Sequence, residues 1–178
     1  MTAKTTWILD PAHSEISFRV KHLMISNVKG VFTEFRAETT TEGDDFATAS
    51  VTASINASSV NTGNADRDAH LRSADFFDTG ASPEINFRSE SFTGTGEGNF
   101  ELAGELTIKG VTKRVVLEVE YGGLMKDPWG NVKAGFSVNG KINRKDFGLN
   151  WNAALETGGV LVSDEVKISA EVQFLKQS

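Results

Sequence analysis

The chain has 178 residues, with 24 Asp and Glu against 18 Lys and Arg, a formal net charge of −6 and no Cys. This length is typical of one domain, and we expect a single domain over residues 1–178. The negative charge argues against nucleic acid as a partner, and the absence of Cys excludes disulfides and thiolate-bound metals.

The N-terminal residues, MTAKTTWILD, lack the apolar core of a secretory signal, and a first strand is predicted at Thr6–Leu9. No apolar stretch approaches the roughly 20 residues that span a bilayer as a helix. We therefore expect a protein that does not span a membrane. We also expect a cytoplasmic location, or a periplasmic one if a leader was removed.

Alternation of apolar and polar residues predicts strands through the N-terminal half of the chain. It is clear at residues 16–20 and at Phe46–Ala57. A long run covers Val28–Thr39, where Phe32 and Phe35 differ by an odd number of positions. The two rings cannot share a face of a regular strand, so we predict a bulge or a curl between them.

One segment differs from these strands. Ala65–Ala74 lacks a period of two and is rich in charge and in residues that favour helices. We predict one short helix here, packed over an end of the sheet. Asn64 or Asp66 has the side chain needed to cap its first turn.

The second half of the chain again alternates. Lys109-Gly110 is predicted to be a two-residue hairpin turn, and Asp127–Gly130 has Asp, Pro and Gly where a type I turn prefers them. Arg144–Leu149 is expected to be irregular or a helical turn, and Leu155–Gly159 a loop. The strands predicted here are Glu84–Phe92, Phe100–Ile108, Val111–Tyr121, Ala134–Ile142 and Val166–Phe174.

About eight strands in hairpin succession with one helix predict an all-β fold, either a closed antiparallel barrel or a sandwich. Several positions on the inward faces are small. Either large neighbours occupy the space beside them, or an apolar guest does, because an empty space of this kind is costly. The small inward positions are Ala53, Gly104, Ala134, Gly140 and Ala170.

The block Arg67–Asp78 places Arg, Asp and His side chains beside Phe76 and Phe77. It predicts either a polar network that clamps the helix onto the barrel rim, with one Phe as a plug, or a gate at a pore mouth. Asp10, His13 and Ser14 have the residue types of a hydrolytic triad but lie too close in sequence for its geometry. We expect no catalytic site, no metal and no cofactor.

Four motifs of this sequence, in order, resemble those of the YceI-like family of lipocalin-like, polyisoprenoid-binding proteins. The resemblance covers nearly the whole chain. It implies an eight-stranded antiparallel, lipocalin-like β-barrel with one short helix and an elongated apolar pore for a long isoprenoid or a similar amphiphile. The motifs are WILDPAHSEISFRVKHL (Trp7–Leu23), RDAHLRSADFFD (Arg67–Asp78), GELTIKGVTKRVVLEV (Gly104–Val119) and INRKDFGLNW (Ile142–Trp151).

The resemblance also implies which side chains meet the ligand. His13, Arg67, His70 and Asp75 match signature positions and are candidates for a head-group contact or for the rim. Inward strand residues, together with the two adjacent Phe of the block described above, would line the pore. These candidates are Phe18, Val20, Phe32, Ile55, Phe76, Phe77, Phe87, Leu102, Leu106, Phe136, Ile142 and Ile168.

The leading hypothesis is a protein that binds a long-chain isoprenoid or fatty amphiphile for transport, storage or sequestration, without catalysis. A second hypothesis is an enzyme acting on an amphiphilic lipid, with His13, His70 and Asp75 as acid–base groups. A separation under about 3.2 Å between two of them, open to the pore, would favour it. A third is a stress-related interaction protein with a packed barrel. A homodimer is compatible with all three.

Overall fold

The computed structural model describes residues 3–153 and 161–177. The loop predicted at Leu155–Gly159 lies outside these residues. Short 3-10 turns occur at Pro11–His13, Ala57–Ser59 and Arg144–Phe147. The strands and the helix are β1 (Lys4–Leu9), β2 (Glu15–His22), β3 (Ser26–Phe32), β4 (Phe35–Glu42), β5 (Asp45–Asn56), β6 (Val60–Asn61), α1 (Ala65–Arg72), β7 (Glu84–Gly96), β8 (Asn99–Ile108), β9 (Val111–Lys126), β10 (Val132–Asn143) and β11 (Val162–Lys176).

Eight strands form a closed antiparallel ring in the order β1-β4-β5-β7-β8-β9-β10-β11, and the pairing of β1 with β11 closes it. The shorter β2, β3 and β6 extend this ring at one end, where β2 pairs with β11 and β3, and β6 pairs with β3. The predicted all-β, eight-stranded, antiparallel, lipocalin-like barrel with one short helix is confirmed. Closure of the ring rules out the sandwich.

The run Val28–Thr39, expected as one long strand with a bulge or a curl between Phe32 and Phe35, is instead two strands with the irregularity at that point. Thr33 and Glu34 separate two strands, of which β3 pairs with β2 and β4 pairs with β1 and β5. The 3-10 turn Pro11–His13 separates β1 from β2. Because β4 pairs with β1 and β3 pairs with β2, the chain between β3 and β4 must be interrupted as well. Phe32 and Phe35 consequently both pack against the core, although they are an odd number of residues apart.

The predicted helix and turns are present. The Asn64 side chain accepts a hydrogen bond from the Arg67 backbone N–H, as an N-cap does, and α1 ends at Arg72, two residues before its expected end. Lys109 and Gly110 have φ values of 53° and 75°, which a two-residue hairpin of type I′ requires. The Gly130 backbone N–H donates to the Asp127 carbonyl at 3.1 Å across the second turn.

Two of the small inward residues are covered by large neighbours. A Cβ at Gly104 would lie 2.7 Å from Phe87 Cζ and 2.9 Å from Ser89 Cα, and closer still to the Arg88 carbonyl oxygen. A Cβ at Gly140 would meet Leu117 Cδ2. At these positions the packed interpretation of the sequence is the right one.

Gly104→Ala is therefore expected to destabilise the barrel by roughly 2 kcal/mol, because backbone atoms of β7 block the added methyl group. Gly135→Ala is the matched control, since a Cβ there would have no atom within 4 Å. Urea unfolding of both variants measures the difference. Equal midpoints for the two variants would show that β7 moves aside freely.

Candidate ligand-binding site

An apolar cavity of about 410 Å³ lies inside the barrel. That volume falls in the usual range of small-molecule sites. Every one of the twelve side chains predicted to line a pore borders this cavity: Phe18, Val20, Phe32, Ile55, Phe76, Phe77, Phe87, Leu102, Leu106, Phe136, Ile142 and Ile168. Further lining residues that the sequence argument did not single out include Ile16, Ala37, Val115, Leu117, Leu149 and Trp151.

Aromatic side chains close one end of the barrel. Trp7 has no exposed surface, and its Nε1 donates to Thr41 Oγ1 at 2.9 Å. The Phe46 ring lies 4.9 Å from the Trp7 ring, 5.5 Å from Tyr121 and 5.1 Å from Phe136. These four rings, here called the aromatic plug, close the end at which β4 turns into β5 and β9 into β10.

The part of the barrel interior away from the aromatic plug is vacant. Ala53 stands directly opposite Ala37 on β4, and both line the cavity. Ala170 also lines it, between Ile16 and Val138 on the neighbouring strands. Ala37, Ala53 and Ala170 remain partly accessible although they face inward. At these positions the hollow interpretation of the sequence is the right one.

Polar and aromatic groups meet where α1 covers the barrel. His70 lines the cavity, and its Nε2 lies 2.9 Å from Asp75 Oδ2. The His70 ring packs edge-on against Trp151 at 4.6 Å and Phe76 at 5.1 Å. Arg67 also borders the cavity. The predicted rim residues Arg67, His70 and Asp75 thus lie together at the helix end, here called the mouth.

The remaining rim candidate, His13, does not border the cavity. Its Nδ1 contacts Asp10 Oδ2 at 2.8 Å, and Lys133 Nζ contacts the same oxygen at 3.0 Å. Ser14 Oγ donates to the Asp10 carbonyl and accepts from the Gln173 N–H. These contacts tie the 3-10 turn to β10 and β11 and do not form a triad.

Hydrogen bonds from His13 and then from Lys133 lower the pKa of the Asp10 carboxyl below its usual value. A lowered folded-state pKa stabilises the protein above the unfolded-state value, and that stabilisation is lost as pH falls through the folded-state pKa. We expect Asp10→Asn to be less stable than the wild type at neutral pH, and the difference to shrink as pH falls below the unfolded-state pKa and to vanish below the folded-state pKa. Urea midpoints across this range measure the difference, and a constant difference at every pH would contradict the assignment.

Arg144 is the functional residue that sequence reasoning missed. Its side chain is 3% exposed and donates to the carbonyls of Leu149, Trp151 and Ser163 at 2.6–2.9 Å. Burial lowers the pKa of its guanidinium, and Asp164 acts in the opposite direction. Through these bonds Arg144 holds the segments on both sides of the mouth, including Trp151.

An antiparallel barrel with one closed end, one end under a helix and an apolar interior has the lipocalin-like barrel fold. The YceI-like domain model matches residues 7–174, and the chain belongs to that family. A UPF0312 protein of Staphylococcus aureus (strain N315) is 44% identical over 173 residues, which cover 96% of this chain and 97% of the relative.

Solved structures share the fold. The Campylobacter jejuni YCEI protein is 34% identical with a TM-score of 0.77, over 89% of this chain and 90% of its own. Burkholderia cenocepacia BcnA has a TM-score of 0.81 at 24% identity, over 93% and 98% of the two chains. A polyisoprenoid binding domain from Saccharophagus degradans has a TM-score of 0.70 at 17% identity, over 99% and 100%.

Membrane-spanning helices and metal sites each need a particular grouping of residues. In residues 3–153 and 161–177, no helix is both long and apolar enough to cross a bilayer. Within the same ranges, no three His, Asp or Glu side chains are grouped as a metal ion would need.

Proposed function

We propose that this protein binds one long apolar chain, a polyisoprenoid, an isoprenoid quinone or a similar amphiphile, inside its barrel. The observation that supports this most is the cavity, whose lining is almost wholly aliphatic and aromatic. The Saccharophagus degradans domain of the same fold is described as polyisoprenoid binding. Transport, storage or sequestration would each follow from such binding without any bond being made or broken.

The energy of burial is sufficient for useful affinity. Each buried CH₂ contributes about 0.8 kcal/mol, so some fifteen carbons contribute on the order of 12 kcal/mol. Association and ordering cost at least about 4 kcal/mol. The remainder, at most about 8 kcal/mol, corresponds to a dissociation constant of about 1 μM at the tightest.

The mouth supplies a polar end for such a ligand. Phe76 and Trp151 bracket the His70 ring, while Asp75 holds its Nε2. A hydroxyl, quinone or phosphate at the end of the tail would meet His70 and Arg67 as the tail enters the cavity. His13 has no place in this arrangement because it does not border the cavity.

Native mass spectrometry of the purified protein tests the proposal. We expect adducts with the mass of a long-chain lipid, released by solvent extraction. The extracted protein should then bind a fluorescent twenty-carbon isoprenoid alcohol with near-micromolar affinity. A barrel that is empty as purified and also fails to bind this probe would defeat the proposal.

One distance favours a second candidate function, an enzyme acting on an amphiphilic lipid. The His70–Asp75 pair is 2.9 Å apart and His70 borders the cavity, which satisfies the geometric requirement for an acid–base pair. Incubation of the protein with its extracted lipid, followed by mass analysis, tests this candidate. A product that forms with the wild type but not with His70→Ala would establish an enzyme. An unchanged lipid would leave ligand binding as the only candidate function of the two.

A further inference from the structure

The turn between β2 and β3 exposes large apolar side chains. Leu23, Met24 and Ile25 are 37%, 55% and 84% exposed. Leu23 and Met24 have φ values of 55° and 61°, a left-handed conformation that is unfavourable for such residues and that Asn and Gly adopt readily. The chain thus keeps an apolar tip where turn chemistry favours small polar residues.

This turn lies at the mouth of the cavity. Lys21, His22 and Val28, at the base of the turn, border the cavity. The Leu23 N–H donates to the Leu161 carbonyl at 2.8 Å, and Leu161 borders the cavity as well. A surface that contacts the tip of this turn would therefore lie next to the opening of the cavity.

A row of cations runs across the outer face beneath the turn. Lys141 on β10, Lys167 on β11, Arg19 on β2 and Lys29 on β3 stand directly opposite one another on successive strands, and all four are exposed. Like charges in this arrangement repel. Lys29 contacts Glu15 at 3.0 Å, and among the described residues the other three have no carboxylate within ion-pair distance.

The row contrasts with the chain as a whole, whose net charge is −6. Four aligned cations on one face fit an anionic surface, and the apolar tip fits the acyl boundary of a bilayer. Arg19 precedes Leu23 by four residues, or about 13 Å along a strand. An apolar face enters a bilayer by about 5–10 Å, so the row would lie near the phosphates.

We infer that the mouth docks on an anionic lipid bilayer, with residues 23–25 in the interface and the cation row against the phosphates. The ligand then passes between bilayer and cavity without crossing water, a step that rests on the proposed function. Asp66 and Asp75 lie on the α1 side of the mouth and are exposed, so repulsion tilts the barrel toward its β2–β3 side.

Co-sedimentation with phosphatidylglycerol vesicles and with phosphatidylcholine vesicles tests the docking. The wild type is expected to bind the anionic vesicles and to be released by salt, because screening weakens charge attraction. The combined variant Leu23→Asn, Met24→Gly, Ile25→Ser suits the left-handed turn and should fold. Its binding should fall about tenfold or more, since the apolar tip is gone.

The cation row is tested separately. Lys141→Gln with Lys167→Gln is expected to lower binding to phosphatidylglycerol vesicles about thirtyfold, in line with the contribution of two charges near an anionic surface. Lys4→Gln with Lys126→Gln makes the same charge change at the plugged end of the barrel and should leave binding unchanged. Equal losses for the two pairs would show an effect of net charge alone and would overturn the proposed orientation.

Binding of the soluble isoprenoid probe without vesicles separates this inference from the proposed function. Wild-type protein that binds the probe but binds neither vesicle type, or both types equally, would overturn the docking inference. Vesicle binding by protein that is empty as purified and does not bind the probe would support docking and defeat the proposed function together with the exchange step.

Discussion

Ala53→Trp is expected to lower the affinity for a long isoprenoid at least about a hundredfold, or about 2.7 kcal/mol, while the barrel stays folded. Ala53 faces Ala37 across two paired strands, and both border the vacant part of the cavity. The indole would occupy space that a ligand tail needs. In a packed core such an insertion costs about 1–3 kcal/mol, but in a vacant one it restores contacts.

The experiment compares thermal stability and probe binding of Ala53→Trp and Ala47→Trp. Ala47 lies on the same strand, β5, but it is exposed and does not border the cavity, so its indole would stand in solvent. The control should bind like the wild type. A destabilised Ala53→Trp variant would mean that the space is already filled, and a stable variant that binds normally would mean that the ligand lies elsewhere.

Arg144→Met is expected to cost about 3–5 kcal/mol of unfolding free energy. The change keeps an unbranched apolar stem but leaves buried carbonyls of residues 149, 151 and 163 without their charged donor. Trp151 should lose its position against His70, so ligand affinity should fall as well. Urea unfolding gives the stability, and the isoprenoid probe gives the affinity.

Lys145→Met is the matched control for Arg144→Met. Lys145 is the next residue, is 51% exposed and contacts Asp164 at 3.4 Å. An exposed pair of this kind contributes at most about 1 kcal/mol, so the control should be nearly as stable as the wild type. Similar losses for the two variants would refute the special role of the buried guanidinium.

An all-β fold, either a barrel or a sandwich, could be predicted because each strand repeats its alternation with clear turn signals, as at Lys109-Gly110. The family resemblance then favoured the closed barrel. The break at Thr33-Glu34 could not be predicted, because it depends on the interruption at Pro11–His13 between the partner strands β1 and β2. A pattern within one segment carries no information about where its partner bends. The error at Val28–Thr39 follows from that.

The side chains that line the cavity could be chosen from inward alternation and from the family resemblance. Whether a small residue borders a void could not be predicted, since Gly104 is covered by Phe87 while Ala53 borders the cavity. The role of Arg144 was also hidden, because its partners are main-chain carbonyls that any residue type provides. Only tertiary structure distinguishes these cases.

The aromatic plug around Phe46 closes the far end of the cavity. A tail that enters past His70 must stop there and must leave the way it came. Affinity should therefore rise with each added isoprene unit until the tip reaches Phe46 and Phe136, and then level off. The depth of the cavity would thus set the chain length that binds best, and the additional carbons of longer polyprenols would remain outside the barrel.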